Sequence, residues 1–172
     1  MIFNQRRNTR MAISQGDKLP DAVLRRMGDD GPEETTIAAL TAGRKIILFG
    51  LPGAFTPTCS SAHVPSFIRT KDAYFEKGIE EIICLAVNDV HIMRQWGDAT
   101  GATAAGLSMW ADPASEFTTA IGMNFDVKCS GLRALVALCD DREDGTVTQL
   151  NQEIQRGVCD ITGGEALLES LG

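Results

Sequence analysis

Five cysteines, at positions 59, 84, 129, 139 and 159, are the residues of this chain best suited to chemistry. They form no Cys-x-x-Cys pair and no paired metal-ligand spacing, and an odd number makes a poor disulfide framework, so a reducing compartment is expected. A thiol commonly packs as a small hydrophobe, so only local context can single one out. Cys59 has such a context. The segment Leu51-Pro-Gly-Ala-Phe-Thr-Pro-Thr-Cys59 joins an apolar run to a helical pattern and places Cys59 in the helix's first turn. There, free backbone N–H groups and the positive end of the helix dipole favour an anion, which lowers a thiol's pKa. Thr56 can bring a hydroxyl beside the sulfur, and Pro52 with Phe55 can screen it from water. Burial opposes the thiolate, so a fixed cation is also needed. Arg133, the only charge within 131–138 of an otherwise apolar strand, is the candidate. Each feature also has a structural reading: an ordinary turn, a packing cysteine, an arginine paired with a carboxylate at a strand end. Residue chemistry alone leaves both readings open.

The elements that must position these residues alternate between strand and helix. Lys45 to Phe49 is a short apolar run between glycines 43 and 50 and reads as a buried strand. Apolar residues Val64, Phe67, Ile68 and Phe75 then recur at helical spacing before Gly78. Ile82 to Val87 reads as a second buried strand, with Asn88-Asp89 capping a helix through Met93 and Trp96. Leu107 to Ala111 is a third strand, and Asp112-Pro113 reads as a cap and first helical residue of a short helix to Ile121. Ala134 to Leu138 and Thr146 to Leu150, around the turn 140–145, form a hairpin, and 166–171 closes the chain as a helix. Strands apolar on both faces require a sheet covered on both sides, which places the fold in the α/β class with a mixed sheet.

Composition excludes several classes. Hydrophobic residues at 44% and charged residues at 23% fit one globular domain, read as 16–172 behind a flexible leader, 1–15. Apolar stretches fall short of the roughly 20 residues that span a bilayer, so no membrane partner is expected. A formal charge of −7 argues against nucleic acid, whose binding depends on Lys and Arg. Arg6, Arg7 and Arg10 precede the first acidic residue, Asp17. The expected location is cytoplasmic, with a mitochondrial alternative if that start is a transit peptide. His63 and His91 belong to no cluster, so no metal is expected, and His63 is assigned a structural or pocket-lining role.

At the Cys59 corner the sequence resembles the peroxiredoxins, whose signature Pro-x-x-x-Thr-x-x-Cys is met by Pro52, Thr56 and Cys59. The longer stretch from Pro52 to Ser60, followed by His63-Val64-Pro65, is similar to the peroxiredoxin V or type II subfamily, as are 82–89, Trp96 and the Arg133 strand. The resemblance runs from about Gly16 to the C-terminus. It implies a thioredoxin-like fold, with a mixed central sheet flanked by helices on both faces. It further implies a thiol-dependent peroxidase that reduces hydrogen peroxide and alkyl hydroperoxides with no bound cofactor. Carried over, Cys59 is the peroxidatic nucleophile, Thr56 hydrogen-bonds the peroxide, Arg133 steadies thiolate and substrate, and Pro52 shields the pocket. A homodimer is implied in the same way.

The resulting sulfenic acid must be resolved by another thiol. Cys84 and Cys159 fall where type II relatives carry cysteines, Cys159 more loosely, while Cys129 and Cys139 have no such counterpart. An external route through glutathione and glutaredoxin is favoured, ahead of Cys84 and then Cys159; thioredoxin is the other reductant the resemblance allows. Two other functions share this fold. A thiol–disulfide oxidoreductase would normally need a Cys-x-x-Cys pair, which is missing, and a peroxide sensor or redox relay would use the same Cys59.

Overall fold

The computed structural model describes residues 12–124, 135–139, 145–155 and 157–172. Its elements are β1 (Val23–Met27), β2 (Pro32–Thr36), α1 (Ile37–Thr41), β3 (Ile46–Gly50), a π-helical turn (Cys59–His63) running into α2 (Val64–Glu76), β4 (Glu81–Ala86), α3 (Val90–Thr100), β5 (Ser108–Ala111), α4 (Glu116–Ala120), β6 (Leu135–Cys139), β7 (Val147–Gln152) and α5 (Gly164–Ser170). The described strands form one sheet in the order β2-β1-β5-β4-β3-β6-β7. β3, β4 and β5 run parallel at its centre through the crossovers α2 and α3, while β6 pairs antiparallel to β3 and β7 to β6. The sheet is mixed, with helices on both faces: the thioredoxin-like arrangement.

Side-chain alternation along β3 and β4 divides the interior into two cores. Ile47, Phe49, Ile82, Cys84 and Ala86 share one core with Cys59, with Val64, Phe67 and Tyr74 of α2, Met93 and Trp96 of α3, and Leu167 of α5. Ile46, Leu48, Ile83 and Leu85 face the other, with Ile37 and Leu40 of α1 and Phe117 of α4. Every side chain of β3 is buried, which is why the segment reads as an unbroken apolar run.

The helix signals hold with one correction. Asp89 caps α3, its Oδ1 accepting from the N–H groups of His91 (2.9 Å) and Ile92 (3.0 Å), and Gly101 ends that helix at φ 77°. Asp112-Pro113, by contrast, does not start α4. The chain makes a further turn through Ser115 at φ 56°, and the helix begins at Glu116. Asp112 still supplies the acceptors, reaching forward to the N–H of Glu116 (2.9 Å) and to the N–H (2.8 Å) and hydroxyl (2.7 Å) of Thr118.

The first 45 residues add elements that the apolar pattern does not reveal. β1 and β2 form an antiparallel hairpin that carries one ion pair on each face, Arg25–Glu34 and Arg26–Glu33, each at 2.7 Å. Packing reaches back to Ile13, which is buried, donates to Ile121 O (2.9 Å) and accepts from the Gln152 side chain (3.1 Å). Among the described residues no helix is long and apolar enough to cross a membrane.

Candidate active site

Cys59 sits where the chain leaves β3 and turns into helix. Helical geometry begins at Pro57, whose missing N–H costs nothing at a helix start, and the turn Cys59–His63 is wound as a π-helix before α2 continues. The wider turn is closed by the Val64 N–H donating to Cys59 O. Ser60, beside the sulfur-bearing residue, accepts the indole N–H of the buried Trp96 (3.0 Å). α3 therefore braces the turn from below.

The sulfur is almost enclosed. Cys59 is 4% exposed and borders a cavity of about 230 Å³ lined by Pro52, Thr56, Pro57, Thr58, His63, Gly157 and Val158. Burial pushes the thiol above its ordinary value, opposed by the Thr56 hydroxyl and by backbone hydrogen bonds at Gly53 and at Cys59 itself. Interactions that lower a thiol's pKa are those that stabilise its anion, so these groups are aimed at a sulfur bearing negative charge. Thr56 also donates to Gly53 O (2.8 Å). Its single proton can serve that carbonyl while Cys59 is a thiol and turn onto the sulfur or a bound oxygen when charge appears.

Pro52 lines the cavity as expected, but Phe55 does not screen the sulfur. Its backbone takes φ 60° and its side chain is 59% exposed. His63 is buried, tilted against Phe49 and Phe67, and bonded through Nε2 to Thr162 O (2.8 Å). A carbonyl only accepts, so Nε2 carries the proton. Burial lowers the His63 pKa to about 4, despite its bond to Thr162 and the nearby Glu153 charge, so the ring is neutral at pH 7. Among the described residues no group of His, Cys, Asp and Glu is placed to hold a metal.

The other cysteines differ in access. Cys84, on β4 opposite Phe49 of β3, is fully buried, and burial, with the neighbouring Cys59, pushes its thiol well above the ordinary value. Cys159 is partly exposed in the loop before α5. Burial and the Glu153 charge push it up to about 11, with Cys59 contributing less. Both thiols thus stand near enough to Cys59 to feel its charge. Cys139 is buried on the opposite core. Cys129 and Arg133 lie outside the described residues.

Two supports of the site escaped the sequence reading. Asn88, read there with Asp89 as a helix cap, turns back instead and accepts the Ala54 N–H (2.8 Å), pinning the loop that carries Gly53 and Thr56. Glu153 has no motif around it, yet organises the loop that forms the far side of the cavity. Asn88 lies 34 residues from its partner and is joined to it only by the fold, whereas Glu153 bonds its own loop, seven to nine residues ahead, in a pattern that no spacing rule marks.

A buried cysteine at a helix start, outside any Cys-x-x-Cys pair, on a thioredoxin-like sheet and facing a small cavity, marks a thiol-based redox protein. The Redoxin family pattern matches residues 14–168. The chain is 41% identical over 167 residues to the chloroplastic Peroxiredoxin-2E-2 of Oryza sativa subsp. japonica, covering 92% of this chain and 72% of that protein. It is 37% identical to Peroxiredoxin-2B of Arabidopsis thaliana, covering 92% and 98%. Reduced Prx3 of Vibrio vulnificus, solved in complex with hydrogen peroxide, superposes with a TM-score of 0.85 at 35% identity, covering 93% of this chain and 99% of that one. The chain belongs to the peroxiredoxins, in their type II subfamily, and is a thiol-dependent peroxidase.

Proposed function

We propose that Cys59 is the peroxidatic nucleophile and that hydrogen peroxide and alkyl hydroperoxides are its substrates. The observation that carries this reading is the convergence of the Thr56 hydroxyl and the backbone of Gly53 and Cys59 on one sulfur at the end of a small cavity. The thiolate attacks one peroxide oxygen, the O–O bond breaks, and the electron pair leaves on the other oxygen, which takes a proton to become water or an alcohol. The same donors that favour the thiolate stabilise the negative charge developing on the departing oxygen. Pro52 keeps bulk water from the sulfur. Arg133 supplies the fixed positive charge that burial of the thiolate requires. Cys59 is left as a sulfenic acid.

Resolution is assigned to glutathione, with glutaredoxin, ahead of Cys84 and Cys159. Its thiol displaces water from the sulfenic acid to give a mixed disulfide, which a second thiol then reduces. Only a thiolate attacks efficiently, and both internal candidates are held in the protonated form, Cys84 by complete burial and Cys159 with a pKa of about 11. A small external thiol needs no strand to open. The subfamily likeness supports a homodimer, and the acidic composition supports a function without nucleic acid. The proposed location is the cytoplasm, with the arginines at 6, 7 and 10 making an organellar address the alternative; fusing residues 1–15 to a fluorescent reporter decides between the two.

The site is tested by Thr56→Val. A hydroxyl that holds peroxide oxygens predicts about tenfold greater slowing of peroxide reduction than of alkylation by iodoacetamide, both measured by stopped flow. Equal slowing of the two removes Thr56 from peroxide binding.

A further inference from the structure

The loop that supplies Gly157 and Val158 to the cavity wall is gathered on its outer side by one carboxylate. Glu153, just beyond β7, turns its Oε1 back into the loop that follows. It accepts there from the N–H groups of Asp160 (2.7 Å), Ile161 (2.9 Å) and Thr162 (3.1 Å) and from the Thr162 hydroxyl (3.1 Å). Burial disfavours its charge, but these bonds outweigh burial and hold the carboxyl below its ordinary value. The same loop is tied to the Cys59 helix at two points: the Thr58 hydroxyl donates to Gly157 O (2.7 Å) and His63 Nε2 donates to Thr162 O (2.8 Å). Glu153 is therefore the outer anchor of a segment whose inner side borders the cavity.

We propose that Glu153 is a positioning residue for organic substrates: its carboxylate fixes Gly157 and Val158 as the wall against which the organic part of an alkyl hydroperoxide packs. The inference rests on the reading of Cys59 as nucleophile. With the O–O group held at Cys59 and Thr56, hydrogen peroxide has nothing beyond its second oxygen to meet that wall. An aryl or alkyl group must lie along the apolar lining that Pro57 and Val158 contribute. Loosening the wall then discriminates between substrates by size, whereas general damage to the site slows both.

The test uses Glu153→Met, which keeps the side-chain length and removes the one oxygen, Oε1, on which all four donors converge. Second-order rate constants for oxidation of Cys59 by hydrogen peroxide and by cumene hydroperoxide are measured together with amide hydrogen exchange. The expected result is a fall of about fivefold or more in the cumene-to-hydrogen-peroxide rate ratio. Exchange at Asp160, Ile161 and Thr162 should accelerate about tenfold or more. Thr162→Val, which removes one donor at nearly constant shape, should move the ratio the same way by a smaller factor, and it decides the question if the methionine variant does not fold. An unchanged ratio, or equal slowing with both peroxides, overturns the proposal. Failure of either peroxide to oxidise Cys59 in the unmodified protein would instead remove the reading beneath it.

Discussion

Cys59 and Cys84 face the same core from neighbouring elements, yet of the two only Cys59 borders a cavity. Cys84 is enclosed within β4 between Phe49 and Met109, the residues opposite it on the neighbouring strands. Cys59 is nearly as buried, but its burial is local. It stands at the rim of a cavity, beside the Thr56 hydroxyl and the backbone at Gly53 and Cys59, which favour its anion. Burial raises both thiols, and the donors oppose it at Cys59 alone. The comparison separates two effects that sequence position confounds: exclusion of water, which both cysteines share, and a pre-arranged place for negative charge, which one has.

The largest break in that comparison is Cys59→Ser, expected to reduce peroxidase turnover at least about 10³-fold with an unchanged circular dichroism spectrum. Substantial retained turnover would show that another thiol does the work.

Acid should strike the corner and spare the strand. The folded state holds His63 at about 4 against 6.5 for the free side chain, so between these values it binds fewer protons than the unfolded chain. Stability should therefore fall as the pH drops from 6.5 to 4, by about 3 kcal/mol from this residue. Urea denaturation across that range would show it. His63→Asn should remove most of the slope, and an equal slope in the variant would assign it elsewhere.

Arg133→Ala sharpens the electrostatic half of the comparison. It should raise the Cys59 pKa, read from the pH dependence of alkylation, and slow peroxide reduction about 10²-fold. Alkylation unchanged in its pH dependence would mean that Arg133 is not the counter-charge.

The smallest effect is expected at the internal thiols. Cys84→Ser, Cys159→Ser and the double variant should each keep at least about half of wild-type turnover with glutathione and glutaredoxin, since neither thiol is poised to attack. Loss of turnover in either single variant would make that cysteine the resolving one.

What the sequence made legible follows from the physics of each segment. β3 and β4 are apolar on both faces and cannot be anything but buried strands, Asp89 announces α3, and the Pro52-to-Cys59 segment resembles its family closely enough to mark the corner. The hairpin β1–β2 was silent because its strands are held largely by backbone pairing and ion pairs, with Leu24 the main inward residue. Its turn chemistry, Asp29-Asp30-Gly31, was the available signal. Asp112 was read as a helix acceptor but the helix start was placed three residues too early, because the turn at Ser115 has no apolar periodicity. Asn88 was beyond reach because it bonds a backbone segment brought to it by the fold, and Glu153 because its turn back onto residues 160–162 has no sequence signature.

The most direct test is the mass of the intact protein after one equivalent of hydrogen peroxide, with and without glutathione, followed by peptide mapping. One added oxygen on Cys59 without glutathione, and a glutathione adduct on Cys59 with it, is the predicted result. Oxidation centred on another cysteine, or a Cys59–Cys84 or Cys59–Cys159 disulfide as the sole product in the presence of glutathione, would contradict it.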